Sequence, residues 1–302
     1  MANGTDGRPT KNQRREEARE QARITREKQA KKEKRNRVFL QGGVAVALIA
    51  IAAVVVLLVV QAVQPPGPGP RNMASGGLVV GAEFKAQTTP ALQPDEDPVV
   101  PKPDRENDPI DIVLYADYMC PACGAFEQQN APLIQSYVGN GEATLEIRPV
   151  AFLDRFSSGT KYSTRAANAF ACVADSQPDL GYEYHNRLLS AEVQPEENST
   201  GLTNAQLLEQ MEAVNIKVDD KMKSCVNDGK FSSFVTASST RAGSEPVPNS
   251  DLDKVSQTPT VIVNGEFLDT QTSTLNDLIL KHFKETSTDD TATPTPTPTP
   301  AG

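Results

Sequence analysis

Histidine and cysteine, the usual zinc ligands, are scarce in this chain. Histidine occurs twice and cysteine four times in 302 residues. His185 and His282 show no paired spacing, and Cys172 and Cys225 each stand alone in the sequence. A structural zinc site needs four ligands, so Cys120-Pro-Ala-Cys123 is read as a dithiol and not as half of a zinc site. No metal and no other cofactor is expected.

Charge is missing from Gly42 to Val60, a run of 19 residues. As a helix it would span about 28 Å, enough to cross a bilayer. It has no polar face, which argues against a single buried core helix. A cleavable leader is disfavoured because the preceding basic segment is long and no small-x-small site comes before the prolines. Residues 1–37 carry 13 Lys and Arg against 6 Asp and Glu, whereas the whole chain carries −9. By the positive-inside rule the arm stays in the cytoplasm and the chain after about residue 63 is exported. The same rule explains the basic arm without nucleic acid, and no nucleic-acid partner is expected. The arm is read as a solvated charged tail that sets topology, with helix near anionic lipid as the other reading.

The expected organisation follows. Residues 1–37 form the basic cytoplasmic arm, 38–63 a single transmembrane helix, and 64–76 a Pro/Gly linker held extended by Pro65 to Pro70. Residues 77–286 form the exported domain, with a helical insertion at about 160–245. Residues 287–302 form a Thr-Pro tail that lacks core-forming side chains. Gly77 to Phe84 reads as a first strand, but Lys85 to Asp108 is long for a loop. That stretch is either a surface excursion or a sign that the domain starts near Pro109.

The dithiol sits at a seam between two local patterns. Ile112-Val-Leu-Tyr-Ala-Asp117 is an apolar run of strand length, and Phe126, Leu133, Ile134, Tyr137 and Val138 recur at helical spacing. A strand that delivers a thiol to a helix start gives that sulfur unpaired N–H groups and partial positive charge. Cys120 is therefore read as the reactive sulfur, with Pro121 suited to the first helical turn. Ala143 to Phe152 follows as a second strand, and strand, helix, strand with a short return implies parallel pairing with a right-handed crossover. Further on, Thr203-Asn-Ala-Gln206 reads as a capping box and Asp219 or Asp220 starts another helix, which stops at Asp228-Gly229. Thr260 to Val263 is a strand, Asn264-Gly265 a hairpin turn and Thr274 to Phe283 a last helix.

Ile112 to Phe126 with its Cys-Pro-Ala-Cys, followed some 140 residues later by Thr258-Pro-Thr-Val-Ile-Val-Asn-Gly-Glu-Phe-Leu268, resembles the DsbA-like branch of the thioredoxin-fold family. It is similar in particular to membrane-anchored extracytoplasmic members from actinobacteria. The resemblance spans about residues 109–285. It implies an α/β thioredoxin fold with a helical insertion, preceded here by the single transmembrane helix. It also implies Cys120 as exposed nucleophile, Cys123 as buried partner and Pro259 as a cis-proline facing them. Thr258 and Pro259 would present backbone to an extended client.

The implied activity is oxidation of cysteine pairs in exported proteins, with reoxidation by a quinone-linked membrane partner. A reductase or isomerase on the same fold, and a client-holding module with non-catalytic cysteines, are the alternatives. Cys172 and Cys225 are either a structural disulfide tying the helical block, as the actinobacterial members suggest, or two buried free thiols. Ala122 departs from the His that strong oxidants of the family often carry, so a weaker oxidant is expected. Asp117 either tunes proton transfer or, as an acid at a strand end more often does, shapes the turn. His185 reads as a surface or helix residue with no part in the chemistry.

Overall fold

The computed structural model describes residues 19–20, 22–23, 25–29, 31–32, 67–94, 96–105 and 108–289. The short described pieces of the basic arm are helical and exposed, with Arg23 paired to Glu20 at 2.8 Å. The expected transmembrane segment 38–63 and the residues after 289 in the Thr-Pro tail lie outside the described residues. Among the described residues no helix is long and apolar enough to cross a membrane.

The domain after the arm and the expected span is built on a five-stranded sheet with strand order β1-β3-β2-β4-β5. These are β1 (Leu78–Val80), β2 (Ile110–Ala116), β3 (Ala143–Pro149), β4 (Thr260–Val263) and β5 (Glu266–Phe267). Strands β2 and β3 run parallel, in register Ile112 to Leu145 and Leu114 to Ile147. The connection between them is helix α1 (Pro121–Gly139). The other pairs are antiparallel, and the β4–β5 turn places Asn264 and Gly265 at φ 47° and 85°. Two successive positive φ values are what an Asn-Gly hairpin turn requires.

Strand alternation divides the core. Leu78, Val80, Ile112, Leu114, Leu145, Ile147, Val261 and Val263 join the main core, with Ile134 and Val138 of α1. Tyr115 and Ile262 belong to a smaller cluster with Val150, Val247 and Val255.

The insertion contains α2 (Tyr162–Ser176), α3 (Gly181–Leu188), α4 (Asn204–Ala213), α5 (Asp220–Asn227) and α6 (Ser232–Ser244). Helix α2 is the axis of this block, and Ala166, Ala167, Ala169, Phe170 and Ala171 are each fully buried. Small side chains let α3, α4, α5 and α6 all pack on it. The Thr203/Gln206 capping box opens α4, and Asp219 caps α5 by accepting from the Met222 N–H. Cys172 of α2 is bonded to Cys225 of α5, 53 residues away, which closes the block covalently. Helix α7 (Leu275–Asp289) returns to the main core through Leu275, Leu278 and Ile279.

The boundary of this domain differs from the sequence reading. Residues 69–76 are not a linker: Met73 is fully buried, and the Asn72 side chain donates to the Ala174 carbonyl at 2.8 Å. Nor does the domain start near Pro109. The Gly69 N–H bonds the Leu92 carbonyl, Asn72 bonds Thr89, and Val99 bonds Ala74, at 2.8, 3.0 and 2.9 Å. The Pro-rich stretch therefore folds back along 69–79 as a surface excursion. Its backbone groups are satisfied by backbone partners that no hydrophobic periodicity reveals.

Candidate active site

Strand β2 ends at Ala116, and the chain turns through Asp117, Tyr118 and Met119 to set Cys120 at the N-cap of α1. Cys120 has extended backbone, φ −80° and ψ 113°, and Pro121 takes the first helical position. Pro121 has no N–H to leave unsatisfied there, and its fixed φ suits the first turn. The Cys123 and Gly124 N–H groups donate to the Cys120 carbonyl at 3.0 and 3.3 Å. Pro121 and Ala122 are exposed.

Both cysteines are free thiols. Cys123 is 1% exposed and Cys120 only 7%, so the expectation of an openly exposed nucleophile is corrected. The Thr258–Pro259 loop closes against the sulfur from β4. The Cys120 thiol donates to the Thr258 carbonyl at 3.2 Å, and the Thr258–Pro259 bond is cis.

The two sulfurs differ in acidity. Cys120 is lowered from 9.0 to about 6, first through the hydrogen bond from the Cys123 thiol, and also by Thr258 and the Cys123 and Ala122 N–H groups. Burial opposes these donors without cancelling them. Cys123 moves the other way, well above the ordinary thiol range. Burial is the largest cause, followed by its bond to Cys120 and the charge there. One sulfur is thus a thiolate near neutral pH and its neighbour is held protonated.

Asp117 is fully buried, and its carboxylate accepts from the Met119 N–H, the Leu153 N–H and the Ser163 hydroxyl at 2.9, 2.9 and 2.6 Å. Burial raises its pKa against those three donors. Those bonds tie the end of β2 to the segment after β3 and to the start of α2. This is the turn-shaping arrangement; it is the Asp117 carbonyl that accepts from the Cys120 N–H, at 3.0 Å.

Three side chains under the dithiol helix escaped the sequence reading as site components. His185 is not on the surface: it is fully buried on α3. Its Nδ1 meets the Tyr118 hydroxyl at 3.2 Å, and its Nε2 meets Glu127 Oε1 at 3.1 Å. Glu127 lies four residues after Cys123, on the buried face of α1. Its second carboxylate oxygen is buried without a protein hydrogen-bond partner among the described residues. An acid on an apolar helix face was the available signal. Gln194 had none, since it sits in the loop after α3 and reaches the site only in three dimensions. Its amide donates to the Cys120 carbonyl at 2.8 Å.

Among the described residues no group of three or more His, Cys, Asp and Glu side chains is gathered as a metal site. What the site has is one acidic sulfur, one proton-holding sulfur and a backbone edge at Thr258–Pro259. A dithiol of this asymmetry, at the end of this sheet, is the working part of a protein that exchanges thiols with disulfides. A family model described as Thioredoxin matches residues 105–281, and the chain belongs to that family.

Solved structures agree with this assignment. The reduced disulfide bond oxidoreductase DsbG of Mycobacterium tuberculosis is 32% identical, with TM-score 0.50, over 62% of this chain and 82% of that one. Oxidised DsbA of the same organism is 29% identical, with TM-score 0.51, over 70% and 92%. BdbD of Bacillus subtilis, 21% identical with TM-score 0.50 over 74% and 100%, shares the fold. The protein is a thiol-disulfide oxidoreductase.

Among curated proteins, the serine/threonine-protein kinase PknE of Mycobacterium tuberculosis is 30% identical over 123 residues, 40% of this chain. The matched stretch spans about a fifth of the kinase, 21% of its length.

Proposed function

We propose that this protein is an extracytoplasmic oxidase of the DsbA type, which transfers its Cys120–Cys123 disulfide to cysteine pairs of exported proteins. The observation that carries the reading is the asymmetry of the two sulfurs, Cys120 near 6 and Cys123 well above its ordinary range. A stabilised Cys120 thiolate favours the reduced form and so makes the disulfide an oxidant. It is also the better leaving group.

The exchange balances as follows. A client thiolate attacks Cys120 Sγ, the Cys120–Cys123 bond breaks, and Cys123 leaves and takes up a proton. A second client thiolate attacks its partner's sulfur in the mixed disulfide, and Cys120 leaves as the thiolate. Two electrons pass from client to enzyme. Thr258 and Pro259, half-buried beside Cys120, would pair with the client backbone.

The uncharged run 42–60 and the basic arm before it support a single-pass anchor at about 38–63, with the N-terminus cytoplasmic. A quinone-linked membrane protein would then be the reoxidase. A reductase or isomerase is the second reading, favoured by Ala122 in place of His.

Trapping tests the proposal. In the full chain, Cys123→Ser should accumulate mixed disulfides with exported proteins, because the internal thiol that displaces the client is gone. A chain that traps nothing defeats both enzyme readings. Fast reduction of insulin combined with slow oxidation of a reduced, unfolded client would select the second.

A further inference from the structure

The Cys120 carbonyl is crowded with donors. It accepts from Cys123 N at 3.0 Å, from Gly124 N at 3.3 Å and from Gln194 Nε2 at 2.8 Å. A carbonyl oxygen has two lone pairs, and the side-chain amide holds the shortest of the three bonds. The Cys123 N–H has a second possible acceptor, the Cys120 sulfur itself. A further donor at the carbonyl competes with that N–H and so weakens the bond that holds it away from the thiolate.

The second observation is steric. A Cβ placed on Gly124 would fall on the Gln194 side-chain amide and lie 3.1 Å from the Leu189 carbonyl. Gly124 is in the first turn of α1, where glycine is normally worse than alanine by about 0.5–1 kcal/mol. Its missing side chain is what lets the 189–194 loop lie on the helix. Gln128 fixes the same loop by donating to the Leu189 carbonyl at 3.3 Å.

We infer that Gln194 is a positioning residue for the nucleophile: it competes with the Cys123 N–H for the Cys120 carbonyl, shifts that N–H toward the thiolate when it forms, and requires Gly124 for its place. This rests on Cys120 being the attacking sulfur of the proposed oxidase. Gln194 touches no reacting atom and acts only through the backbone of Cys120 and Cys123. It belongs to the helical insertion, so the insertion takes part in setting the acidity of the dithiol.

The test uses the full reduced chain in detergent and measures the pH dependence of Cys120 alkylation. The second free thiol, Cys123, is 1% exposed and does not compete. Gln194→Glu keeps the shape but exchanges the donor for a carboxylate. It should raise the titration midpoint by about one unit, so that the thiolate fraction at pH 6 falls from about one half to about one tenth. Gln194→Ala should raise the midpoint by less, and Gly124→Ala should match Gln194→Ala by displacing the amide. In a double-mutant cycle, Gly124→Ala should add little once Gln194 is alanine.

An unmoved midpoint in Gln194→Glu overturns the inference, as does a full Gly124→Ala effect in the Gln194→Ala background. A fall in thermal stability without a change in midpoint also overturns it. If the unsubstituted chain itself titrates like an ordinary thiol, the functional reading fails first, and that result is separate from failure of the Gln194 inference.

Discussion

Replacing Thr258 by valine removes one hydroxyl next to the nucleophile and keeps the β-branched shape. Thr258 contributes twice at Cys120: its carbonyl accepts from the neutral thiol at 3.2 Å, and its side chain helps hold the pKa down near 6. Valine retains the first interaction and loses the second. A hydrogen bond to a charged group is worth about 1.5–3 kcal/mol, which corresponds to about one to two pKa units. The Cys120 midpoint should therefore move to about 7–8, and at pH 7 the disulfide should become less oxidising by about 20–30 mV, since ~30 mV matches ~1.4 kcal/mol for two electrons.

Thiolate absorbance against pH gives the first quantity, and equilibration with a glutathione series gives the second. The same side chain also lowers the Cys123 pKa, so the two measurements must agree in sign. A midpoint within a few tenths of a unit of the parent, with the fold intact, would show that the donors at the helix start carry the stabilisation alone.

Ala122→His should lower the Cys120 midpoint further and raise the reduction potential, because a cationic ring next to a thiolate favours the charged form; an unchanged or lower potential in the glutathione series defeats that expectation. Removing the Cys172–Cys225 bridge with Cys172→Ala/Cys225→Ala opens a loop of 53 residues and should cost about 4 kcal/mol in the chain-entropy account. Urea denaturation of the oxidised chain reads that loss, and a cost below about 1 kcal/mol would show that packing around α2 already holds the block. The reduced chain should also lose stability on acidification. The Cys120 pKa is depressed in the folded state, so its contribution is complete above the ordinary thiol value of 9.0 and is lost as pH falls toward about 6. Cys123, shifted upward, opposes that gain only near pH 9, where the thiol ionises in the unfolded chain and stays protonated in the folded one. The melting temperature of the reduced chain relative to the oxidised one should therefore rise from pH 6 to pH 9, and a constant difference would contradict the acidity of Cys120.

The elements legible in the sequence are those written in local chemistry. The β2 to α1 seam, the Thr203/Gln206 capping box, the Asp219 cap and the Asn264-Gly265 turn each depend on residues within a few positions of one another. The segment 69–108 has no such local signal. Its order comes from backbone bonds such as Gly69 to Leu92 and from the Asn72 bond to Ala174 across 102 residues. Proline content alone reads as linker there, while Met73 and Leu78 are in the main core. At the site, the cysteines and the Thr258–Pro259 loop were readable as motifs, whereas Gln194 was not, because its side-chain amide finds its acceptor at a carbonyl 74 residues earlier.

His185 shows why polarity misleads in the interior. Between Tyr184 and Leu188 on a short amphipathic helix, an imidazole reads as outward-facing, and only partners 58 and 67 residues away make its burial affordable. Burying a polar group without partners costs about 1–3 kcal/mol, so Tyr118, Glu127 and His185 stand or fall together. Asp117 follows the same logic, because its three donors come from three separate segments. These buried bonds add little net stability compared with apolar packing, yet each is satisfied in only one arrangement of the loops. The position of the Cys120 sulfur is thus held by polar groups that do not react, which is why a motif search finds the sulfurs and overlooks what aims them.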